Sequence, residues 1–269
     1  MLPIPDSLRE TALTARQSKS KMDRVYVRYS PELHAVQFNY SPEAIFAGIW
    51  TPEEQVSRGL ILCADKGDVV ARPFDKFWNW GEDGRMTESP LVGVAEKMDG
   101  SLGIVFHRNG QWRVVTRGSF DNEQSVWATR WIQERDMSSV PTDLTLLCEI
   151  IYPDNRIVVG YEFSGLVLLD VRTKEGLYLP PTEVDNIATA ADIRPVPRHE
   201  IHTLDELLHT LGDSRDREGV VAKFQDGSIF KFKTLWYFGL HRLVTSTTKK
   251  SVGAAMLDGS LAVVRSLFD

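Results

Sequence analysis

The stretch VAEKMDGSLGIVF, Val94–Phe106, decides how the rest of the chain is read. Lys97 and Asp99 stand one residue apart inside it, Gly100 and Ser101 follow, and apolar residues flank both sides. An exposed loop has no need of apolar flanks, and a plain strand has no need of Asp-Gly. The arrangement predicts a lysine held at the mouth of a cleft, between strands.

Working outward, short strand-like runs dominate: RVYVRY, HAVQFNY, GLILCA, DVVARPF, SLGIVFH, WRVVTRG, LTLLCEIIY, RIVVGY, GLVLLDVR, GVVAKF and SIFKFK. RNGQ and QDGS read as hairpin turns. Helical patterns are expected at 7–19, 122–135, 182–190, 203–211, 235–246 and 252–268, the fourth opening with Thr203 and Glu206 at capping-box spacing. Strands far outnumber crossover helices, so the class is α+β with mainly antiparallel sheets. SPLVGVAE marks the expected subdomain boundary. It separates an N-terminal part, 1–90, from a core at 91–240, with a short helical C-terminal segment at 241–269.

The bulk properties bound the function. A chain of 269 residues, 42% hydrophobic and 25% charged, can bury a sizeable core. No apolar run is long enough for a membrane span, and the first residues lack the apolar core of a secretory signal. A cytoplasmic protein, of a cell or of a phage in its host, is expected. Cys63 and Cys148 sit in apolar runs and read as buried thiols. The net charge of −6 leaves room only for local contacts with nucleic acid.

Five charged groups recur at strand ends: Lys97 with Asp99 and Gly100; Arg117-Gly118-Ser119; Glu149; Glu218-Gly219; and Lys231-Phe232-Lys233. Residues two apart in a strand share a face, so Lys231 and Lys233 lie together, opposite Phe230 and Phe232. They either edge a sheet in water or face a polyphosphate. A lysine nucleophile must be neutral, against a free pKa of about 10.4, and neighbouring cations and burial favour that form. Asp99, Glu149 and Glu218 could hold a hydrated divalent cation. Together these groups specify attack of a lysine on a nucleotide α-phosphorus.

The order Lys-x-Asp-Gly, Arg-Gly-Ser, Glu in an apolar strand, Glu-Gly-Val-Val and Lys-x-Lys resembles the covalent nucleotidyltransferases. These comprise ATP-dependent DNA and RNA ligases and mRNA capping enzymes. SRGLIL at 57–62, ARPFDKFWNWGE at 71–82 and KTLWYFGLH at 233–241 are similar to signatures of the bacteriophage RNA ligase 1 family. DNA ligases and capping enzymes usually carry Arg two positions after the motif glycine, where this chain has Leu102.

The resemblance implies the ligase adenylylation fold and an ATP-dependent RNA ligase. Such an enzyme joins 5′-phosphate and 3′-hydroxyl RNA ends through lysine–AMP, with Mg²⁺ or Mn²⁺ as cofactor and an end-healing protein as a further partner. Lys97 would be the nucleophile, and Glu96, Asp99 and Gly100 would shape the nucleotide site around it. Arg58 and Lys76 would contact the triphosphate, and Arg117 the phosphate or ribose. Glu149 and Glu218 would hold metal waters or nucleotide, and Lys231 and Lys233 would grip phosphates. Tyr237 would stack on the base or shape its wall, unless it is a core aromatic. Trp78 and Trp80 read as scaffold and His241 as a helix-surface residue. The family's helical C-terminal domain is expected to be absent or reduced to a stub. The alternatives are a DNA ligase or guanylyltransferase of the same fold, or a non-catalytic RNA-end binding module.

Overall fold

In the computed structural model, the described residues are 2–16, 19–212 and 214–239. They form two compact units that interleave along the chain. One comprises residues up to 77 with 100–155 and 161–197; the other comprises 78–99, 156–160 and the chain from 198.

The first unit is built on two five-stranded sheets. One runs Ser20–Met22, Val25–Ser30, Ala35–Tyr40, Arg58–Cys63, Val69–Ala71, each strand antiparallel to the next. The other has the order Arg194–Pro195, Gly165–Arg172, Thr145–Ile151, Ser101–Arg108, Gln111–Thr116. The hairpin at RNGQ forms as expected, with Asn109 at φ 52° and Gly110 at φ 78°, the left-handed pair that a tight hairpin turn requires. Ala35, Ile61 and Ala71 from the first sheet pack with Ile104, Phe106 and Val115 from the second. Helix Asp6–Thr14 covers the first sheet through Leu8 and Ala12. Helices Glu123–Gln133 and Pro181–Ala190 cover the second. The two cysteines are free and buried.

The second unit has one sheet, ordered Arg198–His199, Leu91–Glu96, Gly219–Phe224, Ile229–Lys233, Trp78–Asn79. Leu91–Glu96, within the expected boundary, is an internal strand of it. Helix Leu204–Gly212 packs Leu207 and Leu211 on the apolar face, with Thr203 Oγ1 accepting the Glu206 amide as its cap. Trp80 stacks on Phe224 and Phe232 and meets Phe230 edge-on, which makes it scaffold as expected.

Among the described residues, all but two of the strand pairings are antiparallel. RIVVGY is the departure: residues 156–161 form no strand, and their amides are used elsewhere. Two short helices, Pro42–Ala47 and Pro52–Val56, were not legible as helical runs. No helix among the described residues is long and apolar enough to cross a membrane. Residues 235–239 are helical, whereas the expected helix at 252–268, the rest of 235–246 and His241 lie outside the described residues.

Candidate active site

In the second unit the chain leaves strand Leu91–Glu96 directly into Lys97, whose amide donates to the Gly219 carbonyl at 2.9 Å. That bond continues the ladder by one residue and lays Lys97 along Glu218. The Lys97 ammonium sits 2.7 Å from Glu218 Oε2, and the Lys233 ammonium 2.9 Å from Glu218 Oε1. One buried carboxylate, 3% exposed, thus holds both lysines. Phe230 and Phe232 are buried while Lys231 and Lys233 are half-buried, the alternation that the sequence pattern requires.

Gly219 is needed for this approach. Its φ is +149°, and a Cβ there would stand 1.9 Å from the Phe232 carbonyl oxygen. Only glycine lets strand Gly219–Phe224 start this close to its neighbour.

Asp99 is 2% exposed. Its Oδ2 accepts the amides of Val158 and Val159, both at 2.8 Å, and its Oδ1 accepts the Tyr237 hydroxyl at 2.8 Å. This is where the RIVVGY amides go, in place of a sheet ladder. Tyr237 is itself buried, with the Lys233 ammonium 4.9 Å from its ring centre. Glu96 is gripped by Arg217 through both carboxylate oxygens, and His199 Nε2 lies 2.9 Å from its Oε2. Arg217 immediately precedes Glu218, so this clamp ties the strand that ends at Lys97 to the segment that delivers the carboxylate. Neither Arg217 nor His199 stood out in the sequence.

The first unit carries the other residues. Glu149, in a wholly buried strand, accepts the Gly100 amide on Oε1 at 3.0 Å. A Cβ on Gly100 would lie 2.6 Å from the Ile150 carbonyl oxygen, so the turn after Asp99 also requires glycine. The Arg58 guanidinium lies over the rings of Phe77 and Phe74, at 5.2 and 5.9 Å, and its Nη1 is buried without a hydrogen-bond partner. Burial, and then the nearby Arg117, lower its pKa from the ordinary arginine value, while Tyr40 and Glu149 oppose the shift. Arg117 donates to the Tyr40 hydroxyl at 2.8 Å. Tyr40 meets Trp50 edge-on at 5.0 Å, and the Lys76 ammonium lies 4.7 Å from the Trp50 ring centre. Asp75 bridges the buried Arg72 and Arg172, at 3.1 and 2.8 Å, and so fixes the loop that presents Lys76.

Arg58, Lys76 and Arg117 thus rest on an aromatic bed, a setting that holds cations over ring faces. Tyr40 and Trp50 were missed because nothing local distinguishes them from core aromatics. Among the described residues, no three His, Cys, Asp or Glu side chains cluster as a ready-made metal site.

A sequence profile of a family described as RNA ligase matches residues 56–239, well over half of the chain. RNA ligase 1 of bacteriophage TS2126 is 31% identical over 268 residues, covering 90% of this chain and 64% of that protein. A protein of Thermovibrio ammonificans is 30% identical over 211 residues, 72% of this chain and 55% of that one. The chain therefore spans less than two thirds of the length of these relatives. Among solved structures, one titled archaeal ATP-dependent RNA ligase superposes with a TM-score of 0.58 at 18% identity, over 87% of this chain and 62% of that one. That likeness shows the fold, the nucleotidyltransferase fold expected from the motifs. With the profile spanning the stretch from Arg58 to Tyr237, the chain belongs to the RNA ligase family.

Proposed function

We propose that this chain acts as an ATP-dependent RNA ligase, sealing 5′-phosphate to 3′-hydroxyl RNA ends through a lysine–AMP intermediate. The observation that carries the reading is the Glu218 carboxylate shared by Lys97 and Lys233, in a chain of the RNA ligase family. An ammonium ion is no nucleophile until it gives up a proton, and Glu218 Oε2, at 2.7 Å, is the acceptor in reach.

In the first step Lys97 Nζ attacks the α-phosphorus of ATP. A P–N bond forms, the bond to the β-phosphate oxygen breaks, and pyrophosphate leaves. In the second step a 5′-phosphate oxygen of RNA attacks the AMP phosphorus and the P–N bond breaks, returning the lysine and leaving an inverted pyrophosphate on the RNA. In the third step the 3′-hydroxyl attacks the RNA phosphorus and AMP departs. Splitting a condensation into covalent stages is the general advantage of a nucleophilic catalyst.

The other residues take roles that fit their placement. Lys231 and Lys233 offset charge on the transferring phosphate. Arg58, with an unpartnered buried Nη1, takes a phosphate oxygen, as do Lys76 and Arg117. Asp99, with both oxygens engaged, sets the turn rather than carrying metal waters, and Gly100 lets it close. Glu149 in the first unit and Glu218 in the second are each a carboxylate that would take the waters of a hydrated Mg²⁺ or Mn²⁺ within its own unit, Glu218 by giving up a lysine contact, and such an ion would offset charge on the phosphates. Tyr237 shapes the wall through Asp99, and Glu96 positions the nucleophile's strand through Arg217. RNA lacking a 5′-phosphate would need an end-healing partner, acting with this protein in the cytoplasm.

The test is polymer choice. The protein is expected to join 5′-phosphate RNA to 3′-hydroxyl RNA, with DNA poor as the 3′-hydroxyl strand, since the 2′-hydroxyl is what separates the two polymers. Equal sealing of all-DNA strands would move the reading to a DNA ligase.

A further inference from the structure

A second basic feature lies in the first unit, built from residues that take no part in the chemistry above. A groove of about 570 Å³ runs between strand Val25–Ser30, with its following turn, and strand Gln111–Thr116 with helix Glu123–Gln133 and the segment leading into it. Its walls carry four cations, Lys19, Arg28, Arg113 and Arg130, against two acids, Glu32 and Asp121. In a chain where acids outnumber bases, 37 to 31, that local excess is contrary to the overall balance.

The pairing is uneven. Arg113 is held by Glu32, and Asp121 accepts the Ser119 hydroxyl at 3.0 Å. Lys19, Arg28 and Arg130 make neither an ion pair nor a side-chain hydrogen bond with any described residue. The groove is also firmly built. Thr129 Oγ1 donates to the Val114 carbonyl and accepts the Val114 amide, both at 3.0 Å, so helix and strand are stitched across the floor. Tyr29 and Phe120 lie in the walls, and the Arg16 guanidinium covers the Tyr29 ring at 5.6 Å.

Cations without partners along a groove suit a single nucleic-acid strand, whose phosphates take the charges. We propose that this groove holds the phosphate backbone of an RNA strand away from the reacting ends. It would supply affinity without base readout, because phosphate contacts position a strand and carry no sequence information. The proposal rests on the ligase reading for the choice of RNA, but its binding step needs neither ATP nor Lys97.

The experiment measures binding of a labelled, 5′-phosphorylated single-stranded RNA against salt, with ATP absent. The variant Arg28→Gln/Arg130→Gln removes two groove charges that make no bonds within the fold, and Arg28→Lys/Arg130→Lys keeps them. Each phosphate contact on a single strand contributes a slope of about −0.7 in log affinity against log salt. The Gln variant should bind more weakly at low salt, with a slope shallower by about 1.4, two contacts' worth. The Lys variant should retain the parent slope, and labelling of all three proteins by ATP should be equal. A Gln variant with the parent's affinity and slope would overturn the groove and leave the ligase reading standing. Absence of ATP labelling in the parent would overturn the ligase reading and leave the binding result intact.

Discussion

At the scale of single residues, the site turns on Glu218. Two lysines on one strand face repel unless an anion lies opposite, and the sequence pointed to a polyphosphate for that place. For Lys233 that anion is Glu218, 2.9 Å away, and the same carboxylate holds Lys97 at 2.7 Å. Its delivery depends on Gly219, and Gly219→Ala tests this. The new Cβ meets the Phe232 carbonyl at 1.9 Å in a backbone conformation that side chains avoid. The cost should be about 3 kcal/mol or more. Melting should fall by roughly 6–12 °C, and a melting temperature unchanged from the parent would show that the strands can part without loss. Lys97, Glu218 and Lys233 were legible because the spacing around each is local. Arg217 and Tyr40 were not. Arg217 acts on Glu96, 121 residues away, and Tyr40 on Arg117, 77 residues away, and no periodicity reports such contacts.

At the scale of elements, alternation told most of the truth. GLVLLDVR and GVVAKF became strands over the same residues, because β-branched and aliphatic runs bounded by turn residues have few other ways to bury themselves. RIVVGY has the same composition and is no strand, since the Asp99 carboxylate captures two of its amides. A buried acid that needs donors outweighed strand propensity there. The lysine strand Ile229–Lys233 carries its own prediction. Its stability comes from Phe230 and Phe232 beneath Trp80, whereas Lys231 and Lys233 lie on the opposite face. Replacing either lysine by Ala should cut labelling by ATP roughly 10²-fold. Lys231→Ala should lower melting by only about 2–4 °C, whereas Lys233→Ala takes one of two cations from the buried Glu218 and should lower it somewhat more, by roughly 4–8 °C. Variants that melt far lower and label normally per folded molecule would make the strand structural.

At the scale of the whole molecule, the fold class was readable from the ratio of strands to helices, but the division into units was not. The chain crosses between the two units within the very stretch that announces the chemistry, at Asp99 and Gly100. Consecutive segments of sequence therefore do not map onto the bodies they build. Each unit organises its share of the charges internally: Lys97, Glu218 and Lys233 in one; Arg58, Lys76 and Arg117 on their aromatic bed in the other.

In the proposed reaction everything passes through one covalent species, AMP linked to Lys97. The direct measurement is transfer of label from α-labelled ATP to the protein, separated under denaturing conditions, for the parent, Lys97→Ala and Lys97→Arg. Label should appear on the parent and on neither variant, because a guanidinium does not deprotonate at working pH and so cannot replace the amine. GTP should label the parent poorly. Covalent AMP persisting on Lys97→Ala would rule out Lys97 as the nucleophile.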